Sequence, residues 1–120
     1  MTGLMAGLIG VPKVLEHLRA VVAEKGADYV YWGPCVYAID GAPACIVGHV
    51  YARLGLLDED TQWSGAGVNL LHRDAIARSA RSVLRAAQVV QDGDVSRSER
   101  GTWGEALAAA EAEATRVGAS

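Results

Sequence analysis

Two stretches of this chain place an apolar residue at alternating intervals of four and three. The first runs through Ile76, Ala80, Val83, Ala87 and Val90, the second through Trp103, Leu107, Ala110, Ala114 and Val117. That interval returns a side chain to the same side of an α-helix, so each stretch presents one apolar seam to a neighbour. Between them lies a polar loop, residues 94–101, the segment best suited to mobility. Gln91-Asp92-Gly93-Asp94 ends the first helix, and Thr102-Trp103-Gly104-Glu105 opens the second. The latter is a capping-box pattern, in which the Thr and Glu side chains satisfy each other's orphan backbone donors. The spacing predicts an antiparallel helix pair closed through small, Ala-rich seams. Such seams pair equally well between two copies, which leaves a homodimer open.

The first half predicts two more helices. One starts at Pro12, whose fixed φ and missing N–H suit a first helical position, and its stripe is Val14, Leu15, Leu18, Val21 and Val22. Lys25 and Gly26 close it. The segment Tyr29–Ile39 is rich in β-branched and aromatic residues, with Gly33-Pro34 dividing it and Asp40-Gly41 following as a turn. It predicts two short extended pieces or a hairpin, lying against the helices. A second helix runs from Pro43 to Leu54 and stops at Gly55, with Ile46, Val47, Val50 and Leu54 on one face and Tyr51 at its edge. Cys45, His49 and Ala52 share the neighbouring face beside Gly48. One turn of helix is expected around Asp58–Trp63. The expected fold is mainly α: a four-helix arrangement with a short β-hairpin or extended pair between helices one and two. Residues 1–10 form a flexible lead-in and 11–120 a single α-rich domain.

Composition narrows the function. The chain has 120 residues, 51% apolar and 21% charged, with no Phe and abundant Ala. It can therefore build a core without a metal or a disulfide. A net charge of −3 with interspersed signs argues against a protein that binds nucleic acid by neutralising phosphates. No apolar run approaches the roughly 20 residues that span a bilayer. The apolar start, Met1–Gly10, has no Lys or Arg ahead of it and is broken by glycines. The expectation is a cytoplasmic protein with reduced thiols, no membrane partner and no cofactor.

Chemistry could reside in three places. Cys45, in the first turn of helix two, has His49 one turn later as a proton acceptor, the arrangement of a thiol nucleophile. The same two residues with Cys35, and His72 beyond them, are zinc-ligand types, although no CxxC pair is present. Cys35 and Cys45 could also bridge. The alternative for these residues is packing, with Cys45 as a small buried hydrophobe. Arg78, Arg81 and Arg85 fall on one helix face, with His72 and Arg73 at its start; this stripe suits a phosphate or an acidic partner, or is a solvated face. Finally Tyr29, Tyr31, Trp32, Tyr37, Tyr51 and Trp63 form either a protein-binding patch or a cap on the core.

The run Pro43-Ala44-Cys45-Ile46-Val47-Gly48-His49-Val50-Tyr51-Ala52-Arg53-Leu54-Gly55 resembles one found in small uncharacterised proteins of actinobacteria and of their phages, of the form PxCxVGHVxxRLG. Ala87-Gln88, Gln91-Asp92 and Thr102-Trp103-Gly104-Glu105-Ala106-Leu107 resemble the WGxAL tail of the same group. The resemblance spans residues 28–110 and implies no activity. Read physically, Gly48 and Gly104 are places where another segment approaches a helix closely. The function expected is a small non-catalytic interaction protein, phage-encoded and acting on a host protein, with Tyr31, Trp32, Tyr37, Tyr51 and Trp63 as its contact surface. The alternatives are a thiol- or metal-dependent enzyme centred on Cys45 and His49, and a nucleic-acid-associated module using the arginine stripe.

Overall fold

The computed structural model describes residues 8–33, 36–59, 61, 67–68, 70–93 and 100–118. Its elements are helix α1 (Val11–Lys25), strands β1 (Ala38–Ile39) and β2 (Ala42–Pro43), and helices α2 (Ile46–Leu54), α3 (Arg78–Asp92) and α4 (Trp103–Val117). The architecture is mainly α, with an antiparallel hairpin between the first two helices. No helix of the described residues is long and apolar enough to cross a membrane.

Helix α1 buries Val11, Val14, Leu15, Leu18, Val21 and Val22, and Gly26 closes it by donating its N–H to the Val22 carbonyl. It begins one residue earlier than the proline suggests, because the chain ahead of it is tied down. Ile9 donates to the Ala75 carbonyl and accepts from the Ala77 N–H, a parallel bridge centred on Ile76. The expected lead-in 1–10 is thus anchored at Ile9, while residues 1–7 lie outside the described residues.

The hairpin pairs Ala38 with Pro43 and Ile39 with Ala42. Its two loop residues, Asp40 (φ 51°) and Gly41 (φ 82°), are both left-handed, as the favoured two-residue hairpin turn requires. Tyr29–Trp32, expected as one of two short extended pieces or an arm of a hairpin, forms no strand. The start of α4 uses its backbone instead: Trp103 N–H donates to the Tyr29 carbonyl and Gly104 N–H to that of Ala27. Arg100 Nη1 donates to the carbonyls of Tyr31 (2.7 Å) and Gly33 (2.8 Å). Helix α2 likewise begins at Ile46 rather than Pro43, because Ala42 and Pro43 belong to the hairpin. Further on, Glu59 and Thr61 are helical, in keeping with the expected turn there, whose remaining residues are outside those described.

Helices α3 and α4 are antiparallel. Gln91 meets Trp103 at one end, and Ser82 meets Glu113 at the other. The buried positions are Ala80, Val83, Leu84, Ala87 and Gln91 on α3 and Trp103, Ala106, Ala110 and Ala114 on α4. Ile76 is buried but precedes α3, and Leu107 and Val117 are only partly buried. The α4 seam is therefore rotated slightly toward Ala106. The capping box at Thr102 and Glu105 is formed. Gln91 is the polar centre of this core: its Oε1 accepts from Ile46 N–H (2.7 Å) and Trp103 Nε1–H (3.1 Å), while its Nε2 donates to Asp92.

Candidate functional site

Cys45 stands at the N-cap of α2, not in its first turn, and the thiol is fully buried. Its Sγ accepts from the Gly48 N–H at 3.3 Å, and burial pushes the thiol up to about 11. His49 does not face it. The His49 Nδ1 lies 2.9 Å from the Cys45 carbonyl oxygen. A carbonyl can only accept, so Nδ1 carries the proton and is no base for the thiol. The imidazole packs edge-on against Trp103, ring centroids 5.2 Å apart. The dyad expected of a thiol enzyme is thus not assembled: the helix dipole that would lower the thiol is outweighed by desolvation. Cys35, the third residue of the metal set and the other half of the disulfide, lies outside the described residues. Among the described residues no three His, Cys, Asp or Glu side chains are grouped to hold a metal ion.

The aromatic set divides differently from a contact surface. Tyr31, Tyr37 and Tyr51 are buried, whereas Trp32 is 72% exposed. Tyr37 and Tyr51 lie 5.5 Å apart between ring centroids, and Tyr51 meets His72 edge-on at 4.8 Å. Burial raises both tyrosine hydroxyls, that of Tyr37 to about 12. Tyr29 packs edge-on against Trp103 at 4.7 Å. Tyr31, Tyr37 and Tyr51 thus belong to the core, with Tyr29 packed partly buried against it. Trp63 lies outside the described residues.

The arginine stripe is placed where a ligand could reach it. Arg78, Arg81, Ser82 and Arg85 of α3 join Leu70 and Arg73 of the preceding turn to line a cleft of about 430 Å³. The spacing of three and four along α3 turns its four members to one side, and the turn adds the opposing wall. That turn is fixed by long-range contacts. His72 takes a left-handed φ of 55° and its carbonyl accepts from Ala75 and Ile76. Its Nε2 lies 3.0 Å from Thr61 Oγ1, and the Ile9 bridge holds the turn's far end. Arg81 is braced from below, its Nε donating to the Ile76 carbonyl at 3.1 Å. Arg73, Arg78 and Arg85 are exposed and form no ion pair among the described residues.

One carboxylate bonded to a residue of the cleft wall is already engaged. Ser82 donates its hydroxyl to Glu113, and Arg116 clasps the same carboxylate through Nε (2.7 Å) and Nη2 (2.6 Å). These bonds, Arg116 first and then Ser82, hold the Glu113 carboxyl down at about 2. The stripe was legible as i, i+3, i+7 spacing. Leu70 and Ser82 were not, since only the folded turn brings Leu70 over α3 and only α4 gives Ser82 its partner. A second, smaller cavity of about 160 Å³ opens between α1 and α2, where Glu24, Lys25, His49 and Arg53 stand beside Val21, Pro43 and Ala52. Arg53 Nε there donates to His17 Nδ1 at 3.0 Å. Compared with known proteins, the chain matches no family model, no curated protein and no solved structure.

Proposed function

We propose that this chain is a small non-catalytic binding protein that engages another protein, and that its site is the arginine-lined cleft on α3. One observation carries this reading: four guanidinium groups share one concave cleft, and three of them have no ion-pair partner among the described residues. Guanidinium forks match oxyanions bidentately, and each such charge-assisted bond contributes on the order of 1.5–3 kcal/mol where water is partly excluded. The start of α3 adds to the field, because no side chain caps it and no acidic residue stands in its first turn.

Charge elsewhere favours a compact anion over a polymeric one. The chain has 11 basic and 14 acidic residues. The cleft takes four of the 11, so the rest of the chain has seven basic against 14 acidic residues. A nucleic acid running out of the cleft would have to lie along a chain that is net acidic outside it. A single anionic group presented by a partner protein would not. An enzyme centred on Cys45 and His49 is disfavoured by the raised, buried thiol and the imidazole turned from it.

The reading is tested by calorimetric titration with a short glutamate-rich peptide and a phosphorylated peptide at low ionic strength. At least one should bind saturably. Arg78→Gln with Arg85→Gln should weaken that binding about tenfold or more, while Arg19→Gln, which removes a cation paired with Glu111 far along the chain, should leave it unchanged. Equal losses in both variants would mean that net charge and not the cleft is responsible.

A further inference from the structure

The cleft differs from a general basic patch in three respects that bear on what it takes. Its cations come from two directions, Arg78, Arg81 and Arg85 from the helix and Arg73 from the facing turn. A carboxylate is planar and is saturated by one or two forks, whereas a tetrahedral group with three terminal oxygens can accept from several forks around its circumference. The charge present exceeds one carboxylate's need, and a phosphate monoester near neutral pH brings close to two negative charges on one atom cluster. Leu70, 54% exposed, stands on the wall with no charge to offer. At about 430 Å³ the cleft is also larger than a lone phosphate ion requires, which leaves space for the group that carries it.

We infer that the cleft recognises a phosphate monoester on a partner protein's side chain, with the arginines meeting the phosphoryl oxygens and Leu70 covering the apolar atoms next to it. This rests on the cleft being the binding site, as argued above, and adds the chemical class of the ligand. Ser82 is a positioning residue here. Its hydroxyl holds the Glu113 carboxylate, and with Arg116 keeps that charge engaged and out of competition for the cleft arginines.

Three capped pentapeptides of one leucine-flanked sequence, differing only in phosphoserine, glutamate or serine at the centre, test this by fluorescence anisotropy on the full chain, with inorganic phosphate as competitor. The phosphopeptide should bind at least about tenfold tighter than the glutamate peptide, and the serine peptide should not bind. Arg78→Gln and Arg85→Gln should each weaken it about tenfold. Leu70→Ala should weaken the phosphopeptide about threefold while leaving competition by inorganic phosphate unchanged, a split that a merely structural change would not produce. A folded amide spectrum of each variant shows that the chain is intact. Equal binding of the glutamate and phosphoserine peptides overturns the inference and leaves the cleft as a carboxylate site. Inorganic phosphate competing as strongly per molecule as the phosphopeptide binds overturns the role of the carrier group. Binding of none of them overturns both the inference and the reading it rests on.

Discussion

Gln91 has the chemistry of a helix-ending residue and the position of a core residue. Its fully buried amide oxygen accepts from two donors, the first N–H of α2 and the indole of Trp103. Replacing it with Leu would keep the volume and strand both donors, which costs about 2–4 kcal/mol. Urea denaturation of Gln91→Leu should show a midpoint lowered accordingly at unchanged m-value; a change under about 0.5 kcal/mol would show that the two donors find other acceptors. Nothing in the local sequence marks this residue, since its role exists only once α2, α3 and α4 meet. Cys45 and His49 give the converse case. They sit one turn apart in sequence, yet one caps the helix with its sulfur and the other bonds back to the same residue's carbonyl. A shared helix face is a statement about direction, and it fails when the helix starts three residues later than supposed and Cys45 becomes its cap.

At the level of elements, periodicity carried most of what could be known. The four apolar stripes became α1 to α4, and Asp40-Gly41 became the turn. Two boundaries were misplaced for reasons that propensity cannot resolve. Pro43 suits a first helical position and a short edge strand alike, and the hairpin claims it. Tyr29–Trp32 has strand-forming residues, but its carbonyls are taken by the start of α4 and by Arg100. Gly48 is the clearest link between sequence and packing. Glycine inside a helix costs roughly 0.5–1 kcal/mol relative to Ala, so its presence there asks for a reason. A Cβ at Gly48 would fall on the Tyr37 carbonyl oxygen, so the hairpin's entry strand can reach α2 only past a glycine. Gly104 does the same for Ala27 at the start of α4. Gly48→Ala should therefore gain nothing from better helix propensity and lose about 3 kcal/mol by thermal unfolding. A stabilised variant would mean that the strand moves aside freely.

Across the whole molecule, a chain of net charge −3 carries a concave cleft lined by four arginines. The helical part of that concavity, Arg78, Arg81 and Arg85, was legible in the sequence because the helix fixes their relative directions. The facing wall was not, because the position of Leu70 and Arg73 depends on the His72 turn and on the Ile9 bridge, which joins residues far apart in the chain. The aromatic surface was misjudged for a related reason: Tyr and Trp have polar tips, yet Tyr31, Tyr37 and Tyr51 find room inside this core, which leaves Trp32 exposed. That shift moves the functional reading from an aromatic patch to the cleft. The most direct measurement is a ¹⁵N spectrum of the arginine Nε–H groups during titration with phenyl phosphate. Arg73, Arg78, Arg81 and Arg85 should shift together along one saturable curve, while Arg19 and Arg116, held by Glu111 and Glu113, stay fixed. Shifts that grow linearly and equally for every exposed arginine would contradict the cleft as a site.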